Sequence, residues 1–211
     1  MRRITVALLA LALMIASLAS CSGKAPALEE IKGELVALVE ASYEINDIFF
    51  GEGLETYERG GEFDREHHIY DENDSEFAFY EYVTEDCGYL FAESIKADAE
   101  KVYTADYLEG IYMMAFNGYA DENTGKITTA RYLDANGWLL KYAFGDTDPF
   151  NILPGKRVYL FETMKIVKPS SATYINVSVD SSLEGEESEI LNVTLRFKLT
   201  EDGWRLDGPT Y

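Results

Sequence analysis

Leu28, Ile31, Leu35, Leu38, Ser42, Ile45 and Phe49 recur at intervals of three or four residues. Such spacing returns side chains to one face of a helical turn, so the stretch predicts a long amphipathic helix, stopped by Gly51 and Gly53. Residues 60–76 are polar and acidic, carry turn residues and show no period, the pattern of an exposed loop. Phe77, Phe79, Tyr80, Tyr82 and Val83 predict a strand, because aromatic and β-branched side chains fit a pleated surface. Thr84 offers an N-cap with Glu85 and Asp86 in the first turn, ahead of Leu90, Phe91, Ile95, Ala99 and Val102 at helical spacing. Thr104 offers a cap for a second helix carrying Tyr107, Leu108, Ile111, Tyr112 and Phe116, and Asn117-Gly118 supplies its stop.

Beyond Gly118 the period shortens from about 3.6 to about 2, the change from helix to strand. Residues 132–140 are interrupted by Asn136-Gly137, a pair that tolerates the positive φ of a tight hairpin turn. A loop containing Pro and Gly over 145–155 precedes a strand over 158–168, and Thr173, Ile175, Val177 and Val179 alternate with polar residues in the next. After an acidic turn over 180–189, Leu191, Val193, Leu195, Phe197 and Leu199 face one way while Asn192, Thr194, Arg196 and Lys198 face the other. One buried and one wet face describe antiparallel strands. Glu201-Asp202-Gly203 then turns the chain into a last strand, Trp204-Arg205-Leu206-Asp207. Helices first and a meander afterwards predict a single α+β domain over 28–211. In it, N-terminal helices pack on a curved antiparallel sheet formed mainly by the C-terminal half.

Ahead of that domain, Arg2 and Arg3 form a positive region and residues 4–18 an apolar one, as in a secretory signal over 1–20. The run is shorter than the ~20 apolar residues that a bilayer core requires. It ends on Leu18-Ala19-Ser20-Cys21, the lipobox order of leucine, two small residues and cysteine. The expectation is cleavage before Cys21 and diacylglycerol on its thiol, with residues 21–27 as a tether and the protein on the extracytoplasmic face of the cell membrane. Two acyl chains bury methylenes at ~0.8 kcal/mol each, enough for stable anchoring without protein in the bilayer.

Charge narrows the partners. The 211 residues hold 18 basic and 38 acidic side chains, and loss of Arg2 and Arg3 leaves 16 against 38, or −22. Nucleic acid and bare anionic membrane are disfavoured as partners by repulsion. A basic protein or cations at the cell surface fit that charge, whereas its plain consequence is solubility.

Candidate chemistry is sparse. With Cys21 taken by lipid, Cys87 has no intrachain partner, and the carboxylates of Glu85 and Asp86 beside it disfavour a thiolate. His67 and His68, with Asp64, Glu66 and Asp71, contain metal-ligating groups, but adjacent histidines point apart and no further Cys or His completes a tetrahedral set. Asp121-Glu122-Asn123-Thr124-Gly125 is one residue short of a calcium-loop opening and lacks the closing bidentate Glu, so it reads as a turn. No nucleophile elbow, phosphate loop or zinc-protease helix occurs, and no carboxylate pair stands out as acid and base. The expectation is a non-catalytic protein without metal or cofactor.

Laid in order, the elements show a resemblance. A first helix runs into Phe49-Phe50-Gly51-Glu52-Gly53, an aromatic strand closes on Thr84-Glu85-Asp86, and a helix pair meets at Tyr103-Thr104-Ala105. Lys165-Ile166-Val167-Lys168, two long alternating strands and the run from Glu201 through Gly203-Trp204-Arg205 to Thr210 follow. This order resembles the bacterial cell-wall DL-endopeptidase (autolysin) inhibitor family over most of the mature chain. The resemblance implies a protein that occupies the substrate cleft of secreted cysteine peptidases acting on peptidoglycan stem peptides. On that reading Glu184, Glu186 and Glu187, between two strands, block the cleft or mimic an anionic wall polymer by charge complementarity. Read alone, they form a solvated turn.

Two other classes fit the residues. One is a cone-shaped, nuclear-transport-factor-like accessory or small-ligand domain, with Tyr107, Tyr112, Tyr159 and Trp138 lining a cavity or simply filling a core. The other is a glycan binder with tyrosines clustered on a wet face.

Overall fold

A computed structural model describes residues 23–67, 79–120, 127–135, 137–143, 149–153 and 155–211. They form α1 (Leu28–Phe50), α2 (Glu62–His67), β1 (Tyr80–Tyr82), a 3₁₀ turn (Glu85–Cys87), α3 (Ala92–Val102) and α4 (Ala105–Tyr112), which runs into a π-helical turn (Met113–Asn117). Strands follow: β2 (Tyr119–Ala120), β3 (Ile127–Thr128), β4 (Tyr132–Ala135), β5 (Trp138–Tyr142), β6 (Arg157–Val167), β7 (Tyr174–Leu183), β8 (Leu191–Thr200) and β9 (Gly203–Leu206). Helices lie mostly in the N-terminal half and the sheets are antiparallel, so the fold is α+β as its periodicity predicts.

The chain divides into two compact units. One comprises Met1–Ala41, Val102–Thr104 and Gly155–Thr210, the other Ser42–Lys101, Ala105–Pro154 and Tyr211. The first holds the four-stranded meander β6-β7-β8-β9. Alternation sets its faces: Ile175, Val177, Val179, Leu195 and Phe197 are buried, while Thr194 and Arg196 face water. Leu35, Leu38 and Val39 of α1 and Trp204 and Leu206 of β9 add to this unit's buried apolar set. Glu34 fixes the helix to the last hairpin by accepting the backbone N–H of Trp204 at 3.1 Å. Beyond β9, Tyr103 bridges Leu206 in parallel and the Thr104 amide donates to the Leu206 carbonyl at 2.9 Å. A register shift interrupts β6 between Leu160 and Lys165, where Thr163 Oγ1 accepts the amide of Asp180 at 2.8 Å.

The second unit has shorter strands. β1, β5 and β4 form a three-stranded sheet, and Ala135 opposes Trp138 across the two-residue turn expected at Asn136-Gly137, where Gly137 has φ 85°. Asn136 itself lies outside the described residues, as do His68, Asp71, Phe77 and the 121–125 stretch. One face of this sheet carries buried Tyr80, Tyr82 and Leu140, with Tyr57, Phe63 and Trp138 packed on them.

Three expectations are corrected. The stretch 60–76 is not all loop: residues 62–67 form α2, because Phe63 stacks on Tyr57 at 3.9 Å between ring centroids and Asp64 accepts the Gly60 amide at 2.8 Å. The helix expected from Thr84 begins instead at Ala92. The 3₁₀ turn ends at Gly88 with φ 77°, and Asp134 takes the Ala92 N–H at 2.9 Å. Leu90 and Phe91 therefore precede the helix and are 52% and 46% exposed. The acidic turn is also shorter than 180–189, since β7 continues to Leu183 through ladder pairing with β6 and β8.

Candidate interaction site

The residues singled out for chemistry do not converge. Cys21 lies outside the described residues. Glu184, Glu186 and Glu187 sit in an exposed turn of the first unit between β7 and β8. Its backbone closes on itself: the Glu184 amide donates to the Lys156 carbonyl at 2.8 Å and the Glu186 amide to Leu183 at 3.0 Å. Glu187 Oε1 accepts the amide of Gly185 at 3.1 Å. Hydrogen bonds from its own amide and that of Gly185 hold the Glu187 carboxyl below its usual range. The turn's backbone is thus fixed by hydrogen bonds, with the three glutamates exposed.

Elsewhere the residues weighed as metal ligand or nucleophile make contacts within the fold. His67 ends α2 with Nδ1 3.0 Å from the Phe63 carbonyl and its ring stacked on Phe63 at 4.0 Å. Cys87 is half-buried, 3.1 Å from Thr84 Oγ1 and 3.6 Å from the Glu55 carbonyl. Among the described residues no group of three or more His, Cys, Asp or Glu side chains is placed to hold a metal ion. Of the four aromatics weighed as cavity walls, Tyr159 belongs to the first unit and donates to the Thr210 carbonyl at 2.8 Å. Tyr112, in the second, donates to the Lys96 carbonyl at 3.1 Å. Burial, reinforced by Glu100 and Glu93, pushes the Tyr112 phenol well above its ordinary value.

Trp138 lines a small open pocket of about 150 Å³ in the second unit, with Val83, Glu85, Tyr89, Leu90, Phe91, Gly137 and Leu139. Both ends of its outer wall are pinned. The Gly88 amide closes the 3₁₀ turn on Glu85 at 3.1 Å, and Asp134 holds Ala92. Tyr89, part of that lining, is fixed through its hydroxyl, which donates to Asp98 at 3.2 Å and reaches Glu44 at 3.5 Å. Burial, then the charges of Glu44 and Asp98, raise the Tyr89 phenol far above its ordinary value. A Lys101 hydrogen bond at 2.5 Å, helped by Tyr89 and opposed by partial burial, lowers Asp98.

The same unit holds two cations that sequence reasoning missed. Arg131 is wholly buried and donates to the carbonyls of Phe49 at 2.8 Å and Gly51 at 2.6 Å. Tyr132 donates to the Ile48 carbonyl at 2.9 Å, and Lys141 Nζ to those of Glu52 and Leu54 at 2.8 and 2.7 Å. The amides of Gly51 and Gly53 reach Asp47, and those of Ile152 and Leu153 reach Phe50. The four carbonyls from Asp47 to Phe50, which helix geometry leaves open, are thereby all satisfied. Positive charge there also opposes the negative end of the helix dipole. Gly53 is required: at φ 74° its Cβ would stand 2.6 Å from Arg131 Nη2 and 2.7 Å from the Tyr132 hydroxyl. The available signal was a helix whose last turn holds no basic residue, followed much later by a lone arginine between Ala130 and Tyr132.

No helix among the described residues is long and apolar enough to cross a membrane. No family model, curated protein or solved structure matches the chain.

Proposed function

We propose that this protein is a non-catalytic, lipid-anchored interaction module of the bacterial cell envelope that inhibits or regulates a secreted peptidoglycan DL-endopeptidase. The observation that carries the location is the Leu18-Ala19-Ser20-Cys21 lipobox behind a basic and then apolar leader. The displayed acidic turn, a strongly negative mature chain and the resemblance of element order to autolysin inhibitors support a protein partner with a basic surface around its cleft. Complementary charge of this kind speeds encounter and sets register more than it adds affinity.

The test is capture of secreted and wall-bound proteins by residues 22–211, followed by a stem-peptide hydrolysis assay on what binds. Inhibition of a captured endopeptidase, weakened by salt and by Glu184→Gln, Glu186→Gln and Glu187→Gln together, is the expected outcome. Failure to bind or inhibit any hydrolase contradicts the reading. Inhibition that is salt-insensitive and unchanged by the triple substitution removes the turn from it.

A further inference from the structure

We propose that the pocket beside Leu90 and Phe91 receives a lysine side chain of the cationic partner protein, its apolar stem against the wall and its ammonium group toward Glu85 and the aromatic rings. This rests on the reading that the protein is an interaction module and adds a second contact, in the unit that does not carry the acidic turn. Three features select the occupant. At about 150 Å³ the pocket falls below the ~300 Å³ at which small-molecule sites usually begin and suits a single side chain. Its lining divides into aliphatic residues, Val83, Leu90 and Leu139, and three aromatics, Tyr89, Phe91 and Trp138, with Glu85 as the one carboxylate among them. Aromatic faces attract cations through the ring quadrupole, and a lysine stem covers apolar surface while its head keeps polar company.

Charge argues in the same direction. Glu85 and its neighbour Asp86 are exposed, and the chain carries a net charge of −20. An acidic partner side chain is repelled here, and a purely apolar one leaves the Glu85 carboxylate without a counter-charge. The exposure of Leu90 and Phe91 is also not a loose end of the fold, since Gly88 on one side and Asp134 on the other hold the wall in place. A preformed wall costs little to order on binding.

The experiment is two-dimensional NMR of the full mature protein in non-ionic detergent, titrated with Nα-acetyl-lysine amide and, separately, with Nα-acetyl-norleucine amide, which keeps the aliphatic stem and lacks the ammonium group. The lysine probe is expected to shift the Trp138 indole N–H and the Glu85 amide saturably, with little change at the 184–190 turn. Glu85→Gln is expected to weaken this at least tenfold, and Phe91→Ala several-fold. Equal response to norleucine, shifts as large at the 184–190 turn, no saturable shift, or an unchanged Glu85→Gln variant would each overturn the proposal. Capture of an endopeptidase equally well by wild type and Glu85→Gln overturns the pocket's role and leaves the inhibitor reading standing. Lysine binding without any captured hydrolase contradicts the inhibitor reading instead.

Discussion

The two units solve the same problem, satisfying buried backbone groups, with different emphasis. In the first, strands of up to eleven residues pair along long ladders, broken once by the register shift in β6, so the backbone largely satisfies itself and side chains such as Glu34, Thr163 and Tyr159 add single bonds. In the second, strands run three to five residues in the three-stranded sheet, and side chains from distant positions complete the hydrogen bonding. Arg131, Tyr132 and Lys141 reach back about eighty residues or more to the end of α1 and the turn after it, and the Tyr80 hydroxyl donates to the Ala130 carbonyl at 2.7 Å. A fold held by periodicity should tolerate conservative change, whereas one held by individual long-range donors should fail at single positions.

Arg131→Met breaks this comparison hardest. It strands the Phe49 and Gly51 carbonyls, and with ~1–3 kcal/mol for each unsatisfied buried group the loss should total about 2–6 kcal/mol in urea unfolding. A loss below about 1 kcal/mol would mean that water replaces the guanidinium freely. Gly53→Ala comes next, about 1–3 kcal/mol from left-handed strain plus contact with Arg131 and Tyr132, read as a lower melting temperature. In the first unit Ile175→Val, at a fully buried site, should cost about 0.5–1.5 kcal/mol. If Ile175→Val proved the costlier change, the contrast between the units would be reversed.

The smallest effects are ionisations. Because folding raises the Tyr89 phenol, its contribution is fully present below the ordinary phenol value of 10.0 and fades as pH climbs beyond it. Tyr89→Phe should therefore flatten part of the stability loss at alkaline pH. The Glu187 carboxyl is lowered, so its hydrogen bond to Gly185 holds above the ordinary carboxyl range and is lost only as pH falls through its depressed value. Amide chemical shifts of Gly185 should report that step at lower pH than the titration of an ordinary glutamate.

This contrast also explains what could be read ahead of the structure. The amphipathic α1, the 135–138 hairpin turn and the meander were legible because each is written in local spacing or turn chemistry. Leu90 and Phe91 share the helical spacing of Ile95 and Ala99, yet Asp134, 42 residues away, starts the helix after them. Phe63 is the one apolar residue in a six-residue helix of otherwise polar and charged residues, and only its stacking on Tyr57 and packing near Tyr82 explain a helix there. Arg131 carries no local mark of burial, because its partners are carbonyls and every residue has one. The acidic turn was visible as composition, but its closed hydrogen bonding was not. The pocket escaped altogether, since it exists only where the end of β1, the 3₁₀ turn and the β4–β5 hairpin meet.

The most direct test of the tethered, extracytoplasmic account is metabolic labelling of a bacterial host with an alkyne palmitate, comparing wild type with Cys21→Ser. The account predicts label on wild type alone, together with membrane retention that Cys21→Ser abolishes. Unlabelled wild-type protein, or equal labelling and retention of the variant, would contradict it.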